Sequence, residues 1–226
     1  MSAADVIDAH YRAYADNDLD GVLDSLAPDF VCAAYNGETW ASGREAAKRV
    51  YARNLAAYPM ALTEVLGQIS FGDHVIKRER SKPAVDGAPA LEALAIYTVK
   101  EGLIDRLDMV TQTQDDDTAS GRAQQQLEAY NAQDLDLFCD CFSKDVRVAD
   151  YLGETRLSGA DAFRSHYGSM FEKFPENRVK LLSRLSLGDL AVDHESVMRS
   201  ASEEPFQAVA IYTVADGRIS TVDFIR

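Results

Sequence analysis

The side chains whose spacing suits chemistry lie on two predicted helices. Tyr130 follows Gln126 by four residues, and Tyr14 follows His10 by the same interval, so each pair shares one face of its helix. A tyrosine hydroxyl at such a position could donate a proton or bind an oxyanion. A histidine and a tyrosine on one face could bind a ligand carbonyl or phenol. The alternatives are a core tyrosine whose hydroxyl is satisfied and a hydrogen-bonded histidine in the lining.

Acidic residues in the predicted strands give a weaker signal. Burial of Glu79 or Glu195 would raise the pKa of the carboxyl group and make it a proton donor, but an exposed strand position is the preferred interpretation. Asp193, His194 and Glu195 are consecutive, and neighbouring side chains of a strand point to opposite faces, so they form no compact triad. The sequence has no GxSxG, P-loop or GxGxxG motif. We expect no cofactor and no metal.

The composition is that of a globular protein. Its 226 residues are 46% hydrophobic and 27% charged, which indicates one large or two small domains. A net charge of −14 argues against nucleic acid or a membrane surface as a partner. The N-terminal residues show no apolar h-region of a signal peptide, and no segment approaches the ~18 apolar residues of a membrane span, which predicts a cytoplasmic protein. Cys32, Cys139 and Cys141 form no CxxC motif and are expected to be reduced core thiols.

An internal repeat runs through the chain at an offset of 116 residues. YNGETWASG from Tyr35 returns as YLGETRLSG from Tyr151, and ALAIYTVKEGLI from Ala93 returns as AVAIYTVADGRI one residue short of that offset. Between His10 and Glu79, 22 of 70 positions are identical, where unrelated sequences would share about 4. The chain is therefore expected to comprise two copies of one domain, at 1–110 and 122–226, joined by a polar linker at 111–121.

Each copy begins with predicted helices. Ser2 and Asp5 have capping-box spacing at the start of the first helix, and Asp18 is expected to cap a short second helix. A third helix is predicted to begin at Ser42, with Glu45 completing another capping box, and to stop before a proline because the preceding residue avoids helical geometry. The second copy repeats this pattern with Ser158, Asp161 and Pro175.

After the helices the apolar period shifts towards two, which is typical of strands. In the first copy the predicted strands cover residues 62–71, 74–82, 91–99 and 103–110. The sequence therefore predicts an α+β domain with three N-terminal helices on an antiparallel sheet, present twice.

The segments YNAQDLDLF, DYLGETRLSGADAFRSHY and AVAIYTVADGRI resemble the nuclear transport factor 2-like superfamily, specifically its SnoaL-like and ketosteroid-isomerase-like branch. The resemblance covers nearly all of both copies. It implies two tandem cystatin-like cones, in each of which a curved sheet wraps the helices and leaves a pocket at one end. The superfamily includes isomerases, polyketide cyclases, epoxide hydrolases, dehydratases and binding proteins, so the fold does not select an activity.

The outer sheet face commonly serves for dimerisation in this superfamily. Two copies on one chain are therefore expected to form an internal pseudodimer, with Leu94 and Ile96 of one strand meeting Val209 and Ile211 of the other. Association into a higher homo-oligomer is left open.

The resemblance also implies a catalytic position. Ketosteroid isomerases move a proton with a carboxylate base, while a tyrosine and a protonated acid stabilise the oxyanion. Asp150 occupies the base position of the second copy, and Ala34 stands there in the first. The alternative for Asp150 is a solvated loop carboxylate.

The two oxyanion positions depart from the isomerase pattern. Gln126 and His10 stand where the tyrosine is expected, and Ala210 and Ala95 stand where the protonated acid is expected. Losing one such donor costs about 100- to 1000-fold in turnover, which argues against ketosteroid isomerase activity. Asp150 with Tyr130 is the predicted catalytic pair of the second copy.

The remaining candidates are aromatic side chains. Tyr35, Trp40 and Tyr151 are expected near the mouths of the cones, where they would cover an apolar ligand or close the core. With His10, Tyr14, Gln126 and Tyr167 they form the predicted ligand-binding set. The predicted function is binding of a small apolar molecule that bears a carbonyl or hydroxyl group, with cofactor-free acid–base chemistry of the isomerase, cyclase or dehydratase type. The alternative is a non-catalytic binding or assembly module.

Overall fold

The computed structural model describes residues 2–59, 63–112 and 118–226, and the chain divides into two compact units, Met1–Asp115 and Asp116–Arg226. The predicted linker, 111–121, is shorter than expected at both ends. Thr111 and Gln112 still belong to a strand, and a helix already begins at Thr118. Residues 113–117 of that linker, and the predicted start of a strand at residue 62, lie outside the described residues.

The described part of the first unit forms three helices and six strands. Its helices are α1 (Ala3–Ala15), α2 (Leu19–Asp24) and α3 (Arg44–Ala57). Its strands are β1 (Leu26–Ala34), β2 (Thr39–Ser42), β3 (Thr63–Phe71), β4 (His74–Ser81), β5 (Leu91–Lys100) and β6 (Leu103–Gln112).

The described part of the second unit repeats this order. Its helices are α4 (Thr118–Ala132), α5 (Leu135–Asp140) and α6 (Ala160–Lys173). Its strands are β7 (Phe142–Asp150), β8 (Thr155–Ser158), β9 (Arg178–Leu187), β10 (Leu190–Met198), β11 (Phe206–Ala215) and β12 (Arg218–Ile225). Within the described ranges, no helix has the length and apolar character needed to cross a membrane.

Each unit is an α+β cone, as the sequence predicts, and its sheet has six strands where the sequence predicts four. The strand orders are β2-β1-β6-β5-β4-β3 and β8-β7-β12-β11-β10-β9. The sheets differ from the predicted arrangement in two details. β1 with β6, and β7 with β12, pair in parallel, and two further strands, of nine and four residues, precede the third helix of each unit. Pro28 and Asp29 interrupt the apolar pattern of β1, which hides this strand in the sequence.

The helix starts confirm some predicted caps and correct others. Ser2 and Asp5 form the predicted capping box, and the side chain of Asp18 accepts a hydrogen bond from the N–H of Gly21. The boxes predicted at Ser42 and Ser158 are wrong, because these serines end strands and a glycine precedes each helix. Gly43 (φ 78°, ψ 160°) and Gly159 (φ 85°, ψ 154°) are the N-cap residues and make no side-chain cap.

The two cores are built from side chains of different size. In the second unit a cluster of phenylalanines packs between helices and sheet, with ring centroids of Phe142 and Phe163 4.3 Å apart. The first unit has smaller side chains at the corresponding positions, although its core occupies the same place. The corresponding pairs are Phe138 and Val22, Phe142 and Leu26, Phe163 and Ala47, and Phe171 and Leu55.

Replacement of Gly159 by alanine should destabilise the second unit. The backbone angles of Gly159 lie in a region that only glycine adopts readily, at a cost of about 1–3 kcal/mol for other residues. An added Cβ would meet only Lys144 O, at 3.9 Å, so the cost is conformational. Urea unfolding followed by circular dichroism measures it. Gly121→Ala is the control: Gly121 lies in α4 with nothing within 4 Å of an added Cβ, so it should gain about 0.5–1 kcal/mol. Equal effects of both substitutions would contradict the backbone argument.

Candidate functional site

A cavity of about 170 Å³ lies inside the second unit, between its helices and the inner face of its sheet. Gln126 and Tyr130 line it from α4, and Tyr167 lines it from α6. Tyr130 and Gln126 share a helix face as predicted, one turn apart. Phe138, Phe142, Val222 and Phe224 supply apolar wall.

The sheet contributes its residues through strand alternation. Glu195 and Val197 of β10, with Arg199 just after it, are two residues apart and line the cavity in succession. On the neighbouring β11, Ala208 pairs with Glu195, and Phe206 pairs with Val197. The small side chain of Ala208 leaves space next to the carboxyl group of Glu195.

Glu195 is the acid of this cavity, and its carboxyl group is buried. The Tyr212 hydroxyl donates a hydrogen bond of 3.1 Å to its Oε1, and the Gln126 amide donates one of 3.0 Å to the Tyr212 oxygen. Burial, reinforced by the negative charge of Asp193, raises the pKa of Glu195 to about 8. The group is therefore largely protonated at neutral pH and can donate or accept a proton near it.

Asp193, two residues earlier on the same face, is paired with an arginine, unlike Glu195. Arg184 of β9 binds it through two hydrogen bonds of 2.5 and 2.6 Å. Burial raises the pKa of Asp193, and the arginine opposes that change. The pair is a structural ion pair, which leaves Glu195 as the carboxyl group that faces the cavity.

The hydroxyl of Tyr130 contacts Asn177, Arg199 and Met170 at the cavity wall. Its oxygen accepts hydrogen bonds from Asn177 Nδ2 at 2.5 Å and from Arg199 Nη1 at 3.1 Å, and its hydroxyl lies 3.8 Å from Met170 Sδ. Burial raises the pKa of Tyr130. Tyr130 is thus both a lining residue and a fixed part of the wall.

The structure does not bring Asp150 and Tyr130 together. Asp150 lies at the end of β7, opposite Phe224 in the sheet register, and does not line the cavity. Arg156 binds its carboxylate through Nε at 2.9 and 2.8 Å and through Nη2 at 2.6 Å. These hydrogen bonds lower the pKa of Asp150, and its side chain is one-third exposed. A solvated, ion-paired carboxylate is a weak base, so the position implied by the resemblance does not supply one here.

The aromatic residues predicted at the mouths of the cones lie elsewhere. Tyr35 and Tyr151 occupy the turns after β1 and β7, and neither lines the cavity. Trp40 of β2 is 37% exposed and donates a hydrogen bond to Glu38. Of the predicted ligand-binding set, Gln126 and Tyr167 line the cavity. Burial raises the pKa of Tyr167 well above its ordinary value.

His10 and Tyr14 lie in the core of the first unit. His10 Nδ1 is 2.7 Å from Ser25 Oγ, and burial lowers the pKa of the imidazole to about 4. The His10 ring contacts the rings of Tyr14, Tyr51 and Tyr97 at centroid distances of 5.5 to 6.3 Å. By the repeat, Tyr14, Tyr51 and Tyr97 correspond to Tyr130, Tyr167 and Tyr212, which line the cavity of the second unit.

The sequence patterns do not single out Arg199, and they favour an exposed position for Glu195. Glu195 was predicted to be exposed, and the structure buries it on the inner face. The available signal was the repeat itself, since both copies keep the glutamate and the tyrosine of AIYTV, as Glu79 with Tyr97 and as Glu195 with Tyr212. Arg199 had no such signal because Pro83 stands at its position in the first copy. Among the described residues, no group of three or more His, Cys, Asp or Glu side chains could hold a metal ion.

Comparison with known proteins identifies the family. A model of the SnoaL-like domain matches residues 7–107 and again residues 123–222. The search of curated proteins finds no match. Among solved structures, the chain is similar to an uncharacterised cystatin-fold protein from Novosphingobium aromaticivorans, with 29% identity over 49% of this chain and 99% of that one, and a TM-score of 0.46. It is also similar to a nuclear transport factor 2-like protein from Burkholderia xenovorans, with 20% identity over 54% of this chain and 91% of that one, and a TM-score of 0.42. Since the family model matches both halves, the chain belongs to the SnoaL-like domain family and carries two copies of its domain.

Proposed function

We propose that the second unit binds a small, mostly apolar molecule that bears a carbonyl or hydroxyl group, and that Glu195 exchanges a proton with it. The observation that carries this proposal is a buried carboxyl group on the wall of a cavity that is lined largely by aliphatic and aromatic side chains. Apolar walls with a few convergent polar groups are typical of small-molecule sites.

The size of the cavity limits the ligand. Its volume of about 170 Å³ is close to the ~150 Å³ that accommodates benzene in an engineered protein cavity, and below the ~300 Å³ at which ordinary drug-sized sites begin. A six-membered ring with one or two substituents fits this space. A four-ring steroid does not, which agrees with the loss of the isomerase oxyanion groups.

The polar groups of the cavity suit proton transfer next to a carbonyl. A base works best when its pKa is near the operating pH, and Glu195 meets this condition because burial raises its pKa to about 8. Tyr167 lines the same cavity, and its hydroxyl has no hydrogen-bond partner among the described residues. That hydroxyl is the proposed donor to the ligand oxygen, in the role of an oxyanion donor.

Binding without turnover is the second candidate. It is favoured by the position of Asp150, which lies outside the cavity in an ion pair with Arg156, so that among the described residues Glu195 is the one acid that lines the cavity.

The two SnoaL-like domains are further proposed to associate as an internal pseudodimer. Leu94 and Ile96 alternate with the inner-face residues Ala95 and Tyr97, so the outer face of β5 is apolar, and Val209 and Ile211 give β11 the same character. Linking two domains raises their effective concentration to roughly millimolar.

Small-angle X-ray scattering tests the pseudodimer. A compact chain of 226 residues should have a radius of gyration of about 17 Å. A markedly larger value, with a distance distribution that has two maxima, would contradict association of the domains.

Replacement of Glu195 by glutamine should abolish proton transfer. The protein is expected to catalyse deuterium incorporation at the α carbons of cyclohexanone in D₂O, followed by NMR, with a rate that rises up to about pH 8 as Glu195 ionises. General base catalysis contributes about 10²- to 10⁴-fold, so Glu195→Gln should return the rate to background.

Glu79→Gln is the matched control for this experiment. Glu79 is also a buried glutamate whose pKa burial raises to about 8, but it belongs to the first unit. Its substitution should leave the exchange rate unchanged. Tight cyclohexanone binding without exchange would favour the non-catalytic candidate, and equal losses in both variants would argue against Glu195 as the base.

The same substitution should change the pH dependence of stability. Glu195 has a higher pKa in the folded state, about 8, than its ordinary value of 4.5. The folded state therefore keeps a proton that the unfolded state releases, and the free energy of unfolding falls by up to ~1.4 kcal/mol per pH unit between these values. Glu195→Gln should lack this contribution, so its stability relative to the original protein should rise from pH 5 to pH 8. Urea unfolding at several pH values measures the difference, and parallel pH profiles would show that Glu195 is not buried as a neutral acid.

A further inference from the structure

The cavity of the second unit has more basic than acidic side chains in its lining. Arg199 and Arg226 both line it, together with His166, and Glu195 is the acid among the lining residues. Burial keeps Glu195 largely neutral below about pH 8. The chain as a whole has a net charge of −14, so this cationic lining runs against the overall charge of the protein.

Arg199 is held in place without an acidic partner. Its Nη1 donates to Tyr130 Oη at 3.1 Å and to Asn177 Oδ1 at 3.3 Å, and lies 3.0 Å from Met170 Sδ. The guanidinium carbon also lies 5.8 Å from the ring centroid of Phe174 and 5.6 Å from that of Phe206. The Nη1 end of the guanidinium is therefore surrounded by neutral side chains.

The Nε and Nη2 donors of the Arg199 guanidinium can bind a ligand. An arginine presents five N–H donors in a rigid fork that matches a carboxylate. The hydrogen bonds of Arg199 to Tyr130, Asn177 and Met170 all use Nη1. Within the described residues, Nε and Nη2 have no acceptor and Arg199 forms no ion pair. Other arginines of this unit bind acids with that edge, as Arg184 does with Asp193 and Arg156 does with Asp150.

The positions of Arg199 and Glu195 set the length of a ligand that would reach both. The two residues are four positions apart, with Arg199 just after the end of β10, and fully extended backbone at ~3.3 Å per residue would place their Cα atoms about 13 Å apart. Their side chains project into the same cavity, and the charges of both affect the pKa of the Tyr130 hydroxyl and of the Tyr167 hydroxyl. A single ring with polar groups at opposite ends spans such a gap.

We propose that the ligand of this cavity is a small carboxylate anion, a ring acid whose carboxylate binds Arg199 and whose carbonyl or hydroxyl oxygen lies at Tyr167 and Glu195. This inference rests on the proposed function and adds the charge of the ligand to it. A carboxylate fits the planar guanidinium edge through two parallel hydrogen bonds. A phosphate dianion fits less well because its second charge would have to be desolvated in an apolar cavity.

Isothermal titration calorimetry with two matched probes tests the proposal. The probes are 4-oxocyclohexanecarboxylate and its neutral amide, 4-oxocyclohexanecarboxamide. Hydrogen bonds to charged groups predict that the carboxylate binds roughly 10- to 100-fold more tightly than the amide. Because the overall field of the protein repels anions, such a preference must come from the cavity itself.

Variants of Arg199 assign the preference to that residue. Arg199→Gln should bind the two probes with similar affinity and should retain amide binding within a few-fold. Arg199→Lys should keep part of the preference, because lysine retains the charge but not the fork, and it decides the matter if the glutamine variant does not fold. Arg164→Gln is the matched control, since Arg164 pairs with Asp136 at the surface of α6 and does not line the cavity. It should keep the full preference.

The outcomes separate this inference from the proposed function. If the original protein binds both probes equally, or binds only the amide, the carboxylate proposal is wrong and the proposed function stands. Retention of the full preference in Arg199→Gln would also overturn it. If neither probe binds at millimolar concentration, both proposals fail.

Discussion

The cost of burying a carboxyl group on the inner face of a sheet shapes the second unit. An ionised carboxylate in an apolar interior must be paired or must take up a proton. The unit uses both solutions within three residues of one strand. Asp193 is paired with Arg184 through two hydrogen bonds, whereas Glu195 has a tyrosine hydroxyl as its neighbour and a pKa raised to about 8. The unpaired member of the two is the one that faces the cavity.

The two units differ in the side chains that surround the equivalent glutamates, Glu79 and Glu195. In the first unit Lys77 replaces Asp193, pairs with Asp8 and lies 3.7 Å from the centroid of the Tyr11 ring. The Tyr11 hydroxyl is then 3.1 Å from that of Tyr97, so Tyr97 has another partner, and Glu79 Oε1 is left buried without a hydrogen bond among the described residues. In the second unit Leu127 stands in place of Tyr11.

That exchange of a tyrosine for a leucine has two consequences. The second unit lacks a hydroxyl that would compete for Tyr212, so Tyr212 bonds to Glu195 instead. In addition, Leu127 lines the cavity at the position of Tyr11 and presents no hydroxyl to it. The same fold therefore gives the equivalent glutamates different surroundings in the two copies, which agrees with the rule that fold alone does not determine function.

The sequence by itself determined the duplication, the family, most helices and strands, and the caps at Ser2 and Asp18, because these depend on local patterns and on residues close in the chain. It also determined which side chains share a face, since alternation along a strand is fixed by backbone geometry. It did not determine which of the two faces is inside. That choice depends on register, bulges and the packing of helices against the sheet, and it placed Glu195 at the cavity and left Asp150 with Arg156. Only the tertiary structure decided that Arg199, Tyr167 and Glu195 surround one space, because their approach is set by contacts between elements that are distant in the sequence.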